Sequence, residues 1–174
     1  VYALCSDGDM MEGVASEAAS LAGHLKLSNL CWIYDDNRIT IEGGTPLAFS
    51  EDVGARFRGY GWAVEHVSDA NDTARIAEAI ETFRGTRDRP TLIIVESVIG
   101  WGSPIAGTSK AHSDAMGEEA IRATKRVYGW PEDAQFRVPE GVPAHFHDAL
   151  VRRSRPLSEA WDRTLERYRA DHPD

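Results

Sequence analysis

The chain has 174 residues, 42% hydrophobic and 27% charged, the composition of an ordinary globular protein long enough to bury a core. Its formal charge of −9, with no basic run to offset it, argues against a nucleic-acid partner. No apolar run approaches the ~20 residues of a membrane helix, and no signal peptide is visible. Cys5 and Cys31 both lie in apolar, strand-like runs and read as free buried thiols of a reducing, cytoplasmic compartment rather than a disulfide.

Taken in chain order, Val1 to Cys5 is an apolar run predicted to be a strand, followed by the acidic turn Ser6-Asp7-Gly8-Asp9. Val14, Ala18, Leu21, Ala22 and Leu25 then recur at helical spacing, with small residues between them that suit close packing on a sheet. Leu30 to Tyr34 is short and uniformly apolar, the pattern of a central parallel strand, and it closes on a second acidic turn, Asp35-Asp36-Asn37. Gly43, Gly44 and Pro46 mark a loop. Val53, Phe57 and Tyr60 predict a short helix ended by Gly61, and Trp62 to Val67 a further strand.

Candidate N-caps at Asp69 to Asp72 precede a helix with Ile76, Ile80 and Phe83 on one stripe. Pro90 introduces Thr91 to Val95, the most β-prone run of the chain. Beyond it come Ile99-Gly100-Trp101-Gly102-Ser103-Pro104, a polar loop holding His112, and a helix suggested by Ile121, Thr124 and Tyr128. Residues 131–156, with four prolines, read as an irregular connector, and Leu157, Trp161, Leu165 and Tyr168 predict a last amphipathic helix over 157–174. There is no internal repeat. Alternating strand and helix patterns give an α/β fold class, an open parallel sheet flanked by helices, with its core over 1–130.

The two acidic turns fall at the carboxyl ends of strands, the edge where open parallel sheets bind ligands. Asp7 and Asn37 are thirty residues apart, about one strand–helix–strand crossover, which brings the turns side by side. A carboxylate and an amide oxygen are hard ligands, suited to Mg2+ or to Ca2+ as its substitute, and Mg2+ shares its coordination with phosphate oxygens. Each residue also has a bland reading. Asp7 alone could be a helix cap, and Glu12 a carboxylate placed favourably near a helix N-terminus. His112 could be a solvated loop residue, and Ile41 and Ile99 core residues rather than walls of a cofactor pocket. Gly8, without a Cβ, lets backbone approach a phosphate. His145 and His147 are two apart, share no helix face and read as structural.

Ser6-Asp7-Gly8-Asp9 through Glu12-Gly13, followed by Tyr34-Asp35-Asp36-Asn37-Arg38-Ile39 and by Ile99 to Pro104, resembles the thiamine-diphosphate motif as transketolases carry it. The resemblance continues through Gly107-Thr108 and His112 and covers essentially the whole chain. It implies that Asp7, Asn37 and the carbonyl of Ile39 bind the Mg2+ that anchors thiamine diphosphate. It implies further that Gly8 and His112 contact the diphosphate, with His112 also near the reacting centre, and that Ile41 and Ile99 pack on the cofactor rings. Glu12 would join an acidic network linking two cofactors across a homodimer.

The reaction so implied moves a two-carbon ketol unit from a ketose phosphate to an aldose phosphate, as in the pentose phosphate pathway and the Calvin cycle. The pyrimidine-binding and C-terminal domains of such enzymes, and the N-terminal histidines, have no counterpart in the sequence. The expectation is therefore the later part of a diphosphate-binding domain, inactive alone. Two positions depart from the pattern: Ser6 replaces a glycine, and Ser109, followed by Lys110, stands where a histidine is usual. Dihydroxyacetone synthase and 1-deoxyxylulose-phosphate synthase are the nearest alternatives, the second disfavoured by the Ile99–His112 loop. A non-catalytic metal- or phosphate-binding module is the alternative of another class.

Overall fold

In a computed structural model, residues 1–173 are described, and they form two compact units, 1–132 and 133–173. The first begins with strand β1 (Tyr2–Ser6), helices α1 (Asp7–Met11) and α2 (Gly13–His24), and strand β2 (Cys31–Asp36). A 3-10 turn (Thr45–Leu47) leads to helix α3 (Val53–Gly59), strand β3 (Ala63–Val67), helix α4 (Thr73–Gly85) and strand β4 (Thr91–Glu96). Helices α5 (Lys110–Ser113) and α6 (Gly117–Val127) complete it.

The four strands are all parallel and lie in the order β1-β2-β4-β3. The handedness of parallel crossovers then decides which face each helix covers. The steps from β1 to β2 and from β2 to β3 run the same way across the sheet, so α2 and α3 share a face. The step from β3 back to β4 runs the other way and sends α4 to the opposite face. The core divides accordingly. Leu92 and Ile94 of β4 pack with Ala19, Ala22, Phe57 and Trp62, while Ile93 and Val95 pack with Ala79 and Phe83. That alternation is the two-residue period of a strand covered on both sides.

Each predicted strand of the sheet is present, and β2 lies inside the sheet, as its uniform apolarity implied. Several details differ. The first acidic stretch is not an open turn but the short helix α1, and His112 sits on the single helical turn α5 rather than in a loop. Both cysteines are free, and burial pushes the Cys5 thiol up to about 12 and the Cys31 thiol to about 11. Neither is a thiolate nucleophile at neutral pH.

The second unit contains helix α7 (Val142–Phe146), a π-helical turn (His147–Val151) and helix α8 (Arg152–Asp171). The reading of 131–156 as irregular is thus corrected for 142–156. Pro143 stands at the start of α7, where its missing N–H is not needed. Pro156 lies inside α8, one turn past the π-helical stretch, so the proline that suggested a break is absorbed by a local change of helical register. Asp174, at the end of the expected last helix, lies outside the described residues. Among the described residues no helix is long and apolar enough to cross a membrane.

Helix α2 approaches the end of α3 very closely. A Cβ on Gly23 would lie 1.9 Å from the Tyr60 carbonyl oxygen, a backbone atom. Gly23→Ala should therefore destabilise the protein by about 3 kcal/mol or more. Gly85→Ala, where no atom lies within 4 Å of the added carbon, should be neutral or slightly stabilising. Thermal melts of the two variants check the contrast.

Candidate functional site

Asp7 follows directly on β1, and the parallel register sets Ser6 beside Asp35 and Cys5 beside Tyr34. The side chain of Asp7 is 2% exposed. Its Oδ1 accepts a 2.7 Å hydrogen bond from the Tyr34 hydroxyl, and its Oδ2 accepts a 3.0 Å bond from the backbone N–H of Arg38. Arg38 stands between Asn37 and Ile39 in the chain, so the carboxylate lies against the turn that bears both. Arg38 has a left-handed backbone (φ 61°), unusual outside glycine, which aims its N–H back at Asp7. Asn37 Oδ1 accepts from the N–H of Ile39 at 3.0 Å, and Asn37 Nδ2 donates to Asp35 at 3.1 Å. Ile39 bridges Gly44, closing the small loop beyond.

The helix entry explains one departure from the family pattern. Ser6 is extended (φ −122°, ψ −179°), a conformation open to any residue, so no glycine is required there. Its N–H and hydroxyl both donate to the Asp9 carboxylate, at 2.8 and 3.1 Å. Gly8 is exposed on α1 and nothing lies within 4 Å of where its Cβ would be. The open space is what a close backbone approach needs. Glu12 is exposed at the break between α1 and α2.

The other expected residues are less tightly assembled. His112 is exposed on α5, and among the described residues no hydrogen bond or ion pair joins its ring to Asp7, Asn37 or Glu12. Ile41 is 62% exposed rather than in the core. Ile99 is half-buried, and its carbonyl accepts from the Gly107 N–H at 2.9 Å, closing the loop that begins there. The Trp101 ring in that loop stacks on Tyr128, whose hydroxyl donates to the Trp101 carbonyl at 2.5 Å.

The sequence reading passed over several participants. Tyr34 faces the same side of β2 as Asp36, two residues on, and only the pairing register reveals that this side meets Asp7. Arg56 of α3 donates to Ser16 Oγ at 2.7 Å and to the Met10 carbonyl at 3.0 Å and pairs with Glu51 at 2.8 Å. It pins the break between α1 and α2, although its position off the apolar stripe of α3 gave no hint of this. His66 and Arg38 both reach Glu96, at 3.1 and 3.6 Å. Tyr34, Arg38, His66 and Glu96 line a cleft of about 620 Å3 over the carboxyl ends of β2, β3 and β4, beside Asp7.

The electrostatics of this edge favour a cation. Asp7 is a buried carboxylate, and among the described residues no basic side chain pairs with it. Burial, then the hydrogen bond to Asp7, pushes the Tyr34 hydroxyl above its usual range, so it remains a donor. Burial, then the charge of Asp7, raises the Asp36 carboxyl, and Arg38 only partly offsets this. Among the described residues no three His, Cys, Asp or Glu side chains cluster as a metal cage. A site of one carboxylate, one amide oxygen and one carbonyl needs no such cage if phosphate oxygens complete it.

Comparison with known proteins gives concordant matches. Residues 1–174 match the family described as transketolase, thiamine diphosphate binding domain. The transketolase of Geobacillus stearothermophilus is 46% identical over 99% of this chain and 26% of its own length. Transketolase 1 of Saccharomyces cerevisiae is 39% identical over 99% of this chain and 26% of its own. Among solved structures, a Pichia stipitis transketolase in complex with sedoheptulose-7-phosphate superposes with a TM-score of 0.84 and 39% identity, over 99% of this chain and 25% of that one. The chain thus spans about a quarter of the length of the relatives it matches.

The raised Asp36 carboxyl has a consequence for stability. Its ionised form is less favourable in the fold than in the unfolded chain. Its stabilising contribution is therefore complete below the unfolded value of about 4 and lost as pH rises through the higher folded value. Without divalent cations, Asp36→Asn should raise the melting temperature at pH 7, and the gain should vanish below about pH 4. Melts from acid to neutral pH check the sign.

Proposed function

The chain belongs to the transketolase family, matching its thiamine diphosphate-binding domain from end to end, and from that premise we propose that Asp7, Asn37 and the Ile39 carbonyl hold the Mg2+ that anchors the cofactor's diphosphate. The observation behind this reading is the Asp7 carboxylate, 2% exposed and bonded to the N–H of Arg38 between the other two ligands. Its hard oxygen donors fit Mg2+, or Ca2+ in its place, and leave coordination positions for phosphate oxygens. The acidic surroundings fit as well: burial raises the Asp36 carboxyl first and the charge of Asp7 second, and a bound cation offsets that second cause.

The other residues take roles around that anchor. Gly8 gives the diphosphate close access to backbone. His112, exposed on α5 and donating through a ring nitrogen, binds the diphosphate and moves a proton near the substrate. Ile41 and Ile99 offer apolar walls to the cofactor rings. Glu12, exposed at the α1–α2 break, enters an acidic network across the interface of a homodimer. Thiamine diphosphate, when bound, supplies the carbon nucleophile and the electron sink for cleaving a carbon–carbon bond next to a carbonyl.

The activity we propose is transfer of a two-carbon ketol unit from a ketose phosphate to an aldose phosphate in the cytoplasm. A pyrimidine-binding domain and a second subunit complete the site. The complex of the Pichia stipitis relative with a ketose phosphate supports that substrate class.

Calorimetric titration of the holoenzyme's apo form with thiamine diphosphate, with and without Mg2+, tests the reading. Binding should require the metal, and Asp7→Ala should abolish it while leaving the fold intact; undiminished binding by that variant rejects the metal assignment. Gly8→Ala should keep the melting temperature, since nothing opposes the added carbon. The same variant should weaken cofactor binding by tenfold or more, which locates the glycine's role in the ligand rather than in the fold.

A further inference from the structure

We propose that Tyr34 is the positioning residue of the metal site, its hydroxyl setting the plane of the Asp7 carboxylate that grips the cation. The inference rests on the assignment of Asp7 as a metal ligand. The terminal torsion of an aspartate is broad and two-fold, so rotamer preference alone does not fix the carboxylate plane. Two donors fix it here. One is the Arg38 N–H on Oδ2 at 3.0 Å, and the other is the Tyr34 hydroxyl on Oδ1 at 2.7 Å. Each carboxylate oxygen can accept more than one bond, so both retain capacity toward a cation.

The tyrosine is well placed for this task. Its residue is 3% exposed, and the ring belongs to the core cluster with Met10, Phe57 and Ile94. Packing therefore holds the ring, and the hydroxyl is free to act as a fixed point. Among the described residues, the other acceptor its hydroxyl meets is Asp36 Oδ1 at 3.5 Å, too long to compete with Asp7. Partners that orient a ligand from behind commonly change metal affinity ten- to a hundred-fold when removed.

Tyr34→Phe deletes the hydroxyl and keeps the ring. In the full-length enzyme freed of metal and titrated calorimetrically with Mg2+ at fixed thiamine diphosphate, it should raise the Mg2+ concentration for half-saturation about tenfold. kcat at saturating Mg2+ and cofactor should be unchanged, and the apo melting temperature should fall by no more than a few degrees. A hydroxyl that merely needed a buried partner would alter the melt and leave the Mg2+ requirement alone. Asp7→Ala is measured in parallel. Loss of metal-dependent binding there, with an unchanged Mg2+ requirement in Tyr34→Phe, overturns the positioning role and leaves the metal site standing. Retained metal-dependent binding in Asp7→Ala overturns both.

Discussion

The first unit depends on one constraint at the sheet edge: among the described residues, the Asp7 carboxylate is buried without a basic partner. Removing a charge from water is expensive unless donors or a cation compensate. Here the hydroxyl of Tyr34 and the N–H of Arg38 provide two hydrogen bonds to an ionised acceptor, the stronger kind. Both donors come from β2 or the turn that ends it. The partnership therefore requires β1 and β2 to be adjacent, parallel and in this register. A shift of one residue would turn Tyr34 to the other face and leave the carboxylate without its hydroxyl.

The rest of that unit keeps this corner in place. The crossover between β1 and β2 is split in two, α1 and α2, and Arg56 reaches from α3 to the Met10 carbonyl at the split. The close approach of α2 to Tyr60 at Gly23 and the bond from the Trp62 indole to the Ala19 carbonyl, 2.8 Å, tie the same helix to the strand that follows. Right-handed crossovers put α2 and α3 on one face, so these contacts follow from topology and small residues together. Among the described residues, the bases that reach the negative charge above the sheet, concentrated on Asp7, Asp36 and Glu96, are exposed or partly exposed. Arg38, with 65% of its side chain exposed, contributes little to holding that charge.

Much of this was legible in the sequence, for reasons that differ by element. The strands announced themselves because both faces of an interior parallel strand are apolar, and Thr91 to Val95 is buried at every position. The acidic turns were legible because Asp7 and Asn37 end two such runs one crossover apart. The Tyr34–Asp7 bond was not, because a tyrosine closing an apolar run looks like core until the pairing register is known. Arg56 was invisible for a similar reason: its partners Ser16 and Met10 are about forty residues away. Residues 142–156 misled because prolines were read as breaks, whereas Pro143 begins a helix and Pro156 follows a π-helical turn. Asp9 escaped notice as the partner that lets Ser6 stand in a glycine's place.

Backbone strain at Arg38 couples the buried acid to the turn it faces. A left-handed conformation costs a non-glycine residue about 1–2 kcal/mol, and it persists only when its surroundings fix it. Three bonds do so. The Arg38 N–H meets Asp7, the Arg38 carbonyl accepts from Thr45 at 3.0 Å, and the next N–H, of Ile39, turns back to Asn37. One of those anchors is the buried carboxylate itself. The acid thus shapes the turn that presents Asn37 and Ile39, and the turn in turn donates to the acid. Carboxylate, amide and carbonyl are set by one mutually dependent arrangement rather than by three independent side chains.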